Sequence, residues 1–95
     1  MDLDEIRRAI DEIDNEIIKL YKKRMELSDN AGIYKKKNSL PVHMPLREEE
    51  KLRILCSNFS KKADREEIKE LFSYIMLISR KRQSRIFDEA DRADI

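Results

Sequence analysis

Apolar residues recur along the first third of the chain at Leu3, Ile6, Ile10, Ile13, Ile17 and Leu20, and again at Leu27, Ala31 and Tyr34. The steps alternate between three and four, the spacing of a helical seam that lies along another helix. Asp2 stands where it caps the first turn, and Glu5, three residues on, completes a capping box. No proline interrupts before Pro41, so the pattern predicts a helix over residues 3–37. At ~1.5 Å per residue, ~35 residues span roughly 50 Å. A compact chain of this size has a radius of gyration of only about 12–13 Å. Such a rod leaves its seam wet in a monomer, and the simplest cover is a second copy of the chain.

Asn38, Ser39 and Pro41 break the pattern, and residues 38–44 read as a loop. Pro45 suits the first position of a second helix, with Glu48, Glu49 and Glu50 near its positive end. Leu52, Leu55 and Phe59 give that helix a short apolar stripe, which predicts residues 45–61. Asp64 and Glu67 have the spacing of a cap and its reciprocal partner, placing a third helix over 64–87. Its expected core face is Ile68, Leu71, Phe72, Ile75, Met76 and Ile78. The polar tail, 88–95, is expected to fray. The fold class is therefore all-α: three helices in one domain, one long, one short and one medium-long, with a second copy expected along the first.

Composition agrees with helices and narrows the chemistry. Of 95 residues, 43% are charged and 40% hydrophobic, with one Gly, two Pro and no Trp, a mixture that disfavours sheets. Lys and Arg total 21 against 20 acidic residues, a net charge of +1, which argues against a general nucleic-acid or membrane-surface binder. No run approaches the ~18 apolar residues of a membrane span. The opening Met1-Asp2-Leu3-Asp4-Glu5 is acidic and has no apolar signal core, so the expected setting is the cytoplasm. Cys56 is the one cysteine and His43 the one histidine, so neither a disulfide, a zinc set nor a Ser–His–acid triad can be assembled. No metal or other cofactor is expected. What remains is binding, or a reaction that needs only positioning and electrostatics.

Several polar residues occupy places that the pattern reserves for apolar ones. Arg24 sits in the seam slot between Leu20 and Leu27. Its guanidinium cannot shed a proton, and burying it without an anion costs several kcal/mol. Two readings stand: a register-setting ion pair with a second chain, or a cation awaiting an anionic ligand. Lys35, eleven residues on, faces nearly the same way. Arg7 lies near the other end, too far away within one chain, although an antiparallel partner would swing its own Arg7 back. On the third helix, Ser79 and Gln83 are one turn apart, and they serve either as interhelical hydrogen-bonding residues or as neutral donors toward a shared cavity. Gly32, inside the first helix, costs roughly 1 kcal/mol relative to Ala. A close approach by a helix or ligand would justify it; so would simple tolerance.

Taken in order, Ile6-Arg7, Ile10, Ile13-Asp14, Ile17, Leu20 and Lys23-Arg24-Met25-Glu26-Leu27 resemble the first helix of the all-helical chorismate mutases. Lys35 follows at that family's spacing. Pro41-Val42 and Arg47-Glu48 are similar to its loop and second helix, and Leu71-Phe72, Ile75-Met76, Ser79 and Gln83 to its third. The likeness runs over residues 3–87 without an insertion.

The resemblance implies an isomerase that converts chorismate to prephenate on the route to phenylalanine and tyrosine, in an intertwined dimer with shared sites. By position, it gives Arg24 and the second chain's Arg7 one substrate carboxylate each, and Lys35 and Gln83 the ether oxygen. Glu48 would accept from the ring hydroxyl, with the Arg47 backbone and Ser79 completing the wall. Met44 departs from the family, which commonly has Asp there, and Lys51 replaces a usual apolar residue. An isochorismate lyase-like enzyme has a similar anionic pocket and stays open. So does a non-catalytic helical dimerisation module in which Arg24 sets register. A weaker nucleic-acid reading rests on Lys35-Lys36-Lys37 and Arg80-Lys81-Arg82.

Overall fold

The computed structural model describes the backbone of residues 1–93 and the side chains through Glu89. It contains α1 (Leu3–Lys37), α2 (Pro45–Cys56) and α3 (Lys62–Ala93), and no strand among the described residues. No helix in that range is long and apolar enough to cross a membrane.

Helix α1 has the limits its periodicity predicts. The Asp2 carboxylate accepts from the Glu5 backbone N–H at 2.8 Å, satisfying one of the orphan donors of the first turn. At the other end Ser39 N–H bonds Lys36 O at 3.3 Å and Leu40 N–H bonds Lys35 O at 2.8 Å, the paired closure of a Schellman turn. That closure needs a left-handed residue, and Ser39 supplies it with φ 55° instead of the usual glycine. The turn throws the loop back across the end of α1.

Helices α2 and α3 differ from their predicted limits. The sequence reading carries α2 to residue 61, but it ends at Cys56. Ser57 Oγ donates to Ile54 O at 2.6 Å and Asn58 Nδ2 to Leu55 O at 3.2 Å, so short polar side chains take the last carbonyls and turn the chain. Phe59 consequently lies outside α2. Helix α3 begins at Lys62, two residues early, so Asp64 is an acidic residue of the first turn instead of its cap. The Arg65 guanidinium donates to Phe59 O and Ser60 O, at 3.2 and 2.6 Å, bracing the connection. Most of the tail expected to fray is helical, because nothing in residues 88–93 breaks a helix; residues 94–95 lie outside the described range.

Helix α3 packs against both others. Partners step in the same direction along α1 and α3, from Arg24–Ser79 to Lys36–Phe87, so these two run parallel. Glu48 meets Arg80 while Cys56 meets Arg65, so α2 and α3 are antiparallel. The face of α1 turned to α3 carries Met25, Ser28, Asp29, Gly32 and Lys36, not the apolar seam. Arg82 clasps Asp29 through two hydrogen bonds, at 2.9 and 2.6 Å. This bidentate pair holds the Asp29 carboxyl below its ordinary pKa, chiefly through the hydrogen bonds, against an opposing effect of burial.

The internal core is small. Met25 and Met76 are its buried apolar side chains, at 1% and 6% exposure. Ile68, Phe72 and Ile75 are half-buried, while Leu71 and Ile78, expected inside, face outward. Along the first half of α1, the seam residues Leu3, Ile6, Ile10, Ile13, Ile17 and Leu20 are all 39–63% exposed. The chain measures 59 × 29 × 14 Å, with a radius of gyration of 17.2 Å. A compact chain of this length would have about 12–13 Å.

Candidate active site

Where the second half of α1, the start of α2 and the second half of α3 converge, they line an open cavity of about 420 Å³. Arg24, Ser28 and Lys35 line it from α1, Arg47, Glu48 and Lys51 from α2, and Ser79, Arg80 and Gln83 from α3. Arg24, Ser28, Ala31 and Lys35 follow at steps of three and four, which keeps one stripe of α1 on the cavity wall.

Arg24 donates from Nη1 to Ser79 Oγ at 2.7 Å. Ser79 in turn donates to the Met25 sulfur at 3.7 Å, a weak bond that orients its hydroxyl to accept from the guanidinium. Among the described residues, no carboxylate pairs with Arg24. Within the described chain the remaining guanidinium donors are unspent, and both readings of Arg24, a second-chain carboxylate or an anionic ligand, call on them.

Lys35 and Gln83 form the second polar cluster. Lys35 Nζ donates to Val42 O and to Gln83 Oε1, each at 2.9 Å, so the ammonium also anchors the loop. Gln83 Nε2 donates to Ser28 Oγ at 3.0 Å. These partners define which way the amide points. Burial lowers the Lys35 pKa from 10.5, and the nearby Glu48 charge partly opposes that shift. Gln83 is 6% exposed and lies hard against Gly32. A Cβ built on Gly32 would stand 2.9 Å from Gln83 Cγ, 3.2 Å from its Cβ and 3.3 Å from its Cα. Of the two readings of Gly32, close helix approach is the one the packing bears out.

Glu48 opens the first turn of α2, where the positive end of the helix favours a carboxylate. Its Oε1 is held by Arg80, and its Oε2 is 3.7 Å from His43 Nε2. Arg47 lines the cavity with an exposed side chain. Met44 precedes α2 as its N-terminal cap residue, makes no side-chain cap and does not line the cavity.

Six of the seven residues singled out from sequence thus meet at one cavity: Arg24, Lys35, Arg47, Glu48, Ser79 and Gln83. Arg7 is not there. It pairs with Asp4 at 3.9 Å on the exposed half of α1, and seventeen residues of helix put it ~26 Å from Arg24. Ser28 and Arg80 are additions. The signal for Ser28 was its place one turn after Arg24; Arg80 was concealed in the basic run on which the weaker nucleic-acid reading rested.

Comparison with known proteins follows the same outline. A family model described as chorismate mutase type II matches residues 6–84. A "Bifunctional chorismate mutase/prephenate dehydratase" of Aquifex aeolicus is 45% identical over 49 residues, 52% of this chain and 14% of that protein. A "Chorismate mutase" of Methanocaldococcus jannaschii is 40% identical over 57 residues, 57% of this chain and 58% of the relative. The "T-protein" of Haemophilus influenzae is 41% identical over 46 residues, 48% of this chain and 12% of its own length. The chain thus spans between 12% and 58% of the relatives it matches. No solved structure matches it.

Proposed function

Because the chain belongs to the chorismate mutase type II family, we propose that it rearranges chorismate to prephenate in a homodimer whose two sites each borrow Arg7 from the other chain. The observation that carries this reading is Arg24: a permanent cation beside a 420 Å³ cavity, bonded to a neutral hydroxyl. That volume lies within the ~300–1,000 Å³ of small-molecule sites. A dicarboxylate supplies the anion that Arg24 lacks.

The reaction is unimolecular. The carbon–oxygen bond of the enol ether breaks as a carbon–carbon bond forms, with no base, nucleophile or metal. Two anchored carboxylates hold the side chain folded over the ring, replacing an entropic search with a fixed geometry. Negative charge grows on the ether oxygen as the bond opens. Lys35 has three N–H donors, of which Val42 and Gln83 take two; Gln83 has two, of which Ser28 takes one. Each keeps one donor for the ether oxygen, where it stabilises the transition state more than the ground state. Glu48 accepts from the ring hydroxyl, and Ser79 and the Arg47 backbone close the wall.

The homodimer rests on the wet seam of α1. An antiparallel second copy would cover Ile6, Ile10, Ile13, Ile17 and Leu20, and would bring its Arg7 to the distal half of this chain. The test is the loss of chorismate absorbance with acid-trapped phenylpyruvate as product readout. Prephenate formation supports the reading. Release of pyruvate would point instead to a lyase, and unchanged chorismate to a non-catalytic helical module.

A further inference from the structure

Arg80 is a cavity residue whose place the reaction does not explain. It lies on α3 between Ser79 and Gln83, and its side chain is 29% exposed against 23% for the Glu48 it grips. Glu48 has two cationic neighbours, Lys35 on α1 and Arg80 on α3, and the His43 imidazole on the loop side. The Arg80 guanidinium takes Oε1. Oε2 faces His43 at 3.7 Å, beyond hydrogen-bond length, and so keeps its acceptor capacity.

A carboxylate free to choose in this pocket has a competing partner in Lys35, whose charge it already stabilises. An ion pair between them would consume the ammonium that the ether oxygen needs. Pulling Glu48 toward α3 keeps the two charges apart. From this geometry we propose that Arg80 is a positioning residue, holding one oxygen of Glu48 so that the other meets the ring hydroxyl of the substrate. The inference rests on the mutase reading given above.

Arg80→Met keeps the aliphatic stem and removes the charge, and Arg80→Lys restores a cation. With chorismate as substrate, Arg80→Met raises KM about tenfold while kcat stays within about threefold, a tenfold change being ~1.4 kcal/mol. Arg80→Lys recovers most of the loss. In a Glu48→Gln background the same change has little further effect, since the group being positioned is gone. Arg80→Gln gives the same parameters if the methionine variant does not fold. Unchanged KM in Arg80→Met, or an equal loss in the Glu48→Gln background, overturns the inference while wild-type turnover stands. A wild-type chain that leaves chorismate intact overturns both.

Discussion

Replacing Gly32 with alanine tests the packing on which the site depends. In an isolated helix the change would stabilise by up to ~1 kcal/mol, because glycine has the greater backbone freedom to lose. Here the new methyl carbon meets Gln83 Cγ at 2.9 Å and, more stubbornly, its Cα at 3.3 Å. A side-chain carbon can rotate aside; a backbone carbon moves only with its helix. Overpacking of this kind costs ~1–3 kcal/mol. The net expectation is a loss of about 1 kcal/mol, or ~4–8 °C in Tm for a domain of this size. Turnover should suffer more. Gln83 links Lys35 to Ser28, and a 1 Å misplacement can cost ~100-fold, so a shift of a few tenths should lower kcat about tenfold. Thermal melts at fixed protein concentration and initial rates of chorismate loss provide the two readouts. An alanine variant with raised Tm and undiminished kcat would refute the reasoning, for it would mean that α1 and α3 yield without disturbing Gln83.

Other expectations concern charge and assembly. Lys35→Ala and Gln83→Ala should each raise the barrier by about 2.7–4 kcal/mol, read as kcat, and near-normal rates in both would dismiss the ether-oxygen assignment. The proposed ether-oxygen role needs Lys35 charged, and its pKa is lowered, so kcat should fall on the alkaline side beginning below 10.5. Glu48→Gln removes a charge that raises that pKa, and should move the alkaline limb to lower pH; an upward move would contradict the arrangement. Asp29 has a depressed folded pKa, so its stabilising effect is complete above 3.8 and disappears as pH falls through the folded value. Asp29→Asn should therefore melt earlier at neutral pH and lose part of the acid dependence, and a melt curve parallel to wild type at every pH would count against the clasp. Mixing Arg7→Ala with Arg24→Ala chains should restore about one competent site per mixed dimer; no recovery despite proven subunit exchange would count against sharing.

How much of this was readable from residues alone depended on whether a signal was local. Helix α1 was legible because its caps and period agree and nothing interrupts them. The cavity was legible wherever a polar residue broke an apolar phase, as at Arg24, Ser79 and Gln83. The end of α2 was not, because it depends on where the Ser57 and Asn58 side chains turn, a choice made in three dimensions. The face of α1 that meets α3 was hidden by the stronger apolar seam, which points elsewhere. Arg80 looked like its neighbours Lys81 and Arg82 until α2 was laid antiparallel beside it. Gly32 left crowding and simple tolerance equally open, and the packing of Gln83 against it decides for crowding.

Met25, Gly32, Met76, Ser79 and Gln83 are the buried positions of the described single chain, and Met76, Ser79 and Gln83 are also cavity walls. Structural integrity and the proposed chemistry therefore draw on one shared handful of atoms. A protein engineer seeking extra robustness has almost no passive interior to refill, since most adjustments there would also reshape the cavity wall. Durability would have to be sought far from it, along the outer half of the long rod.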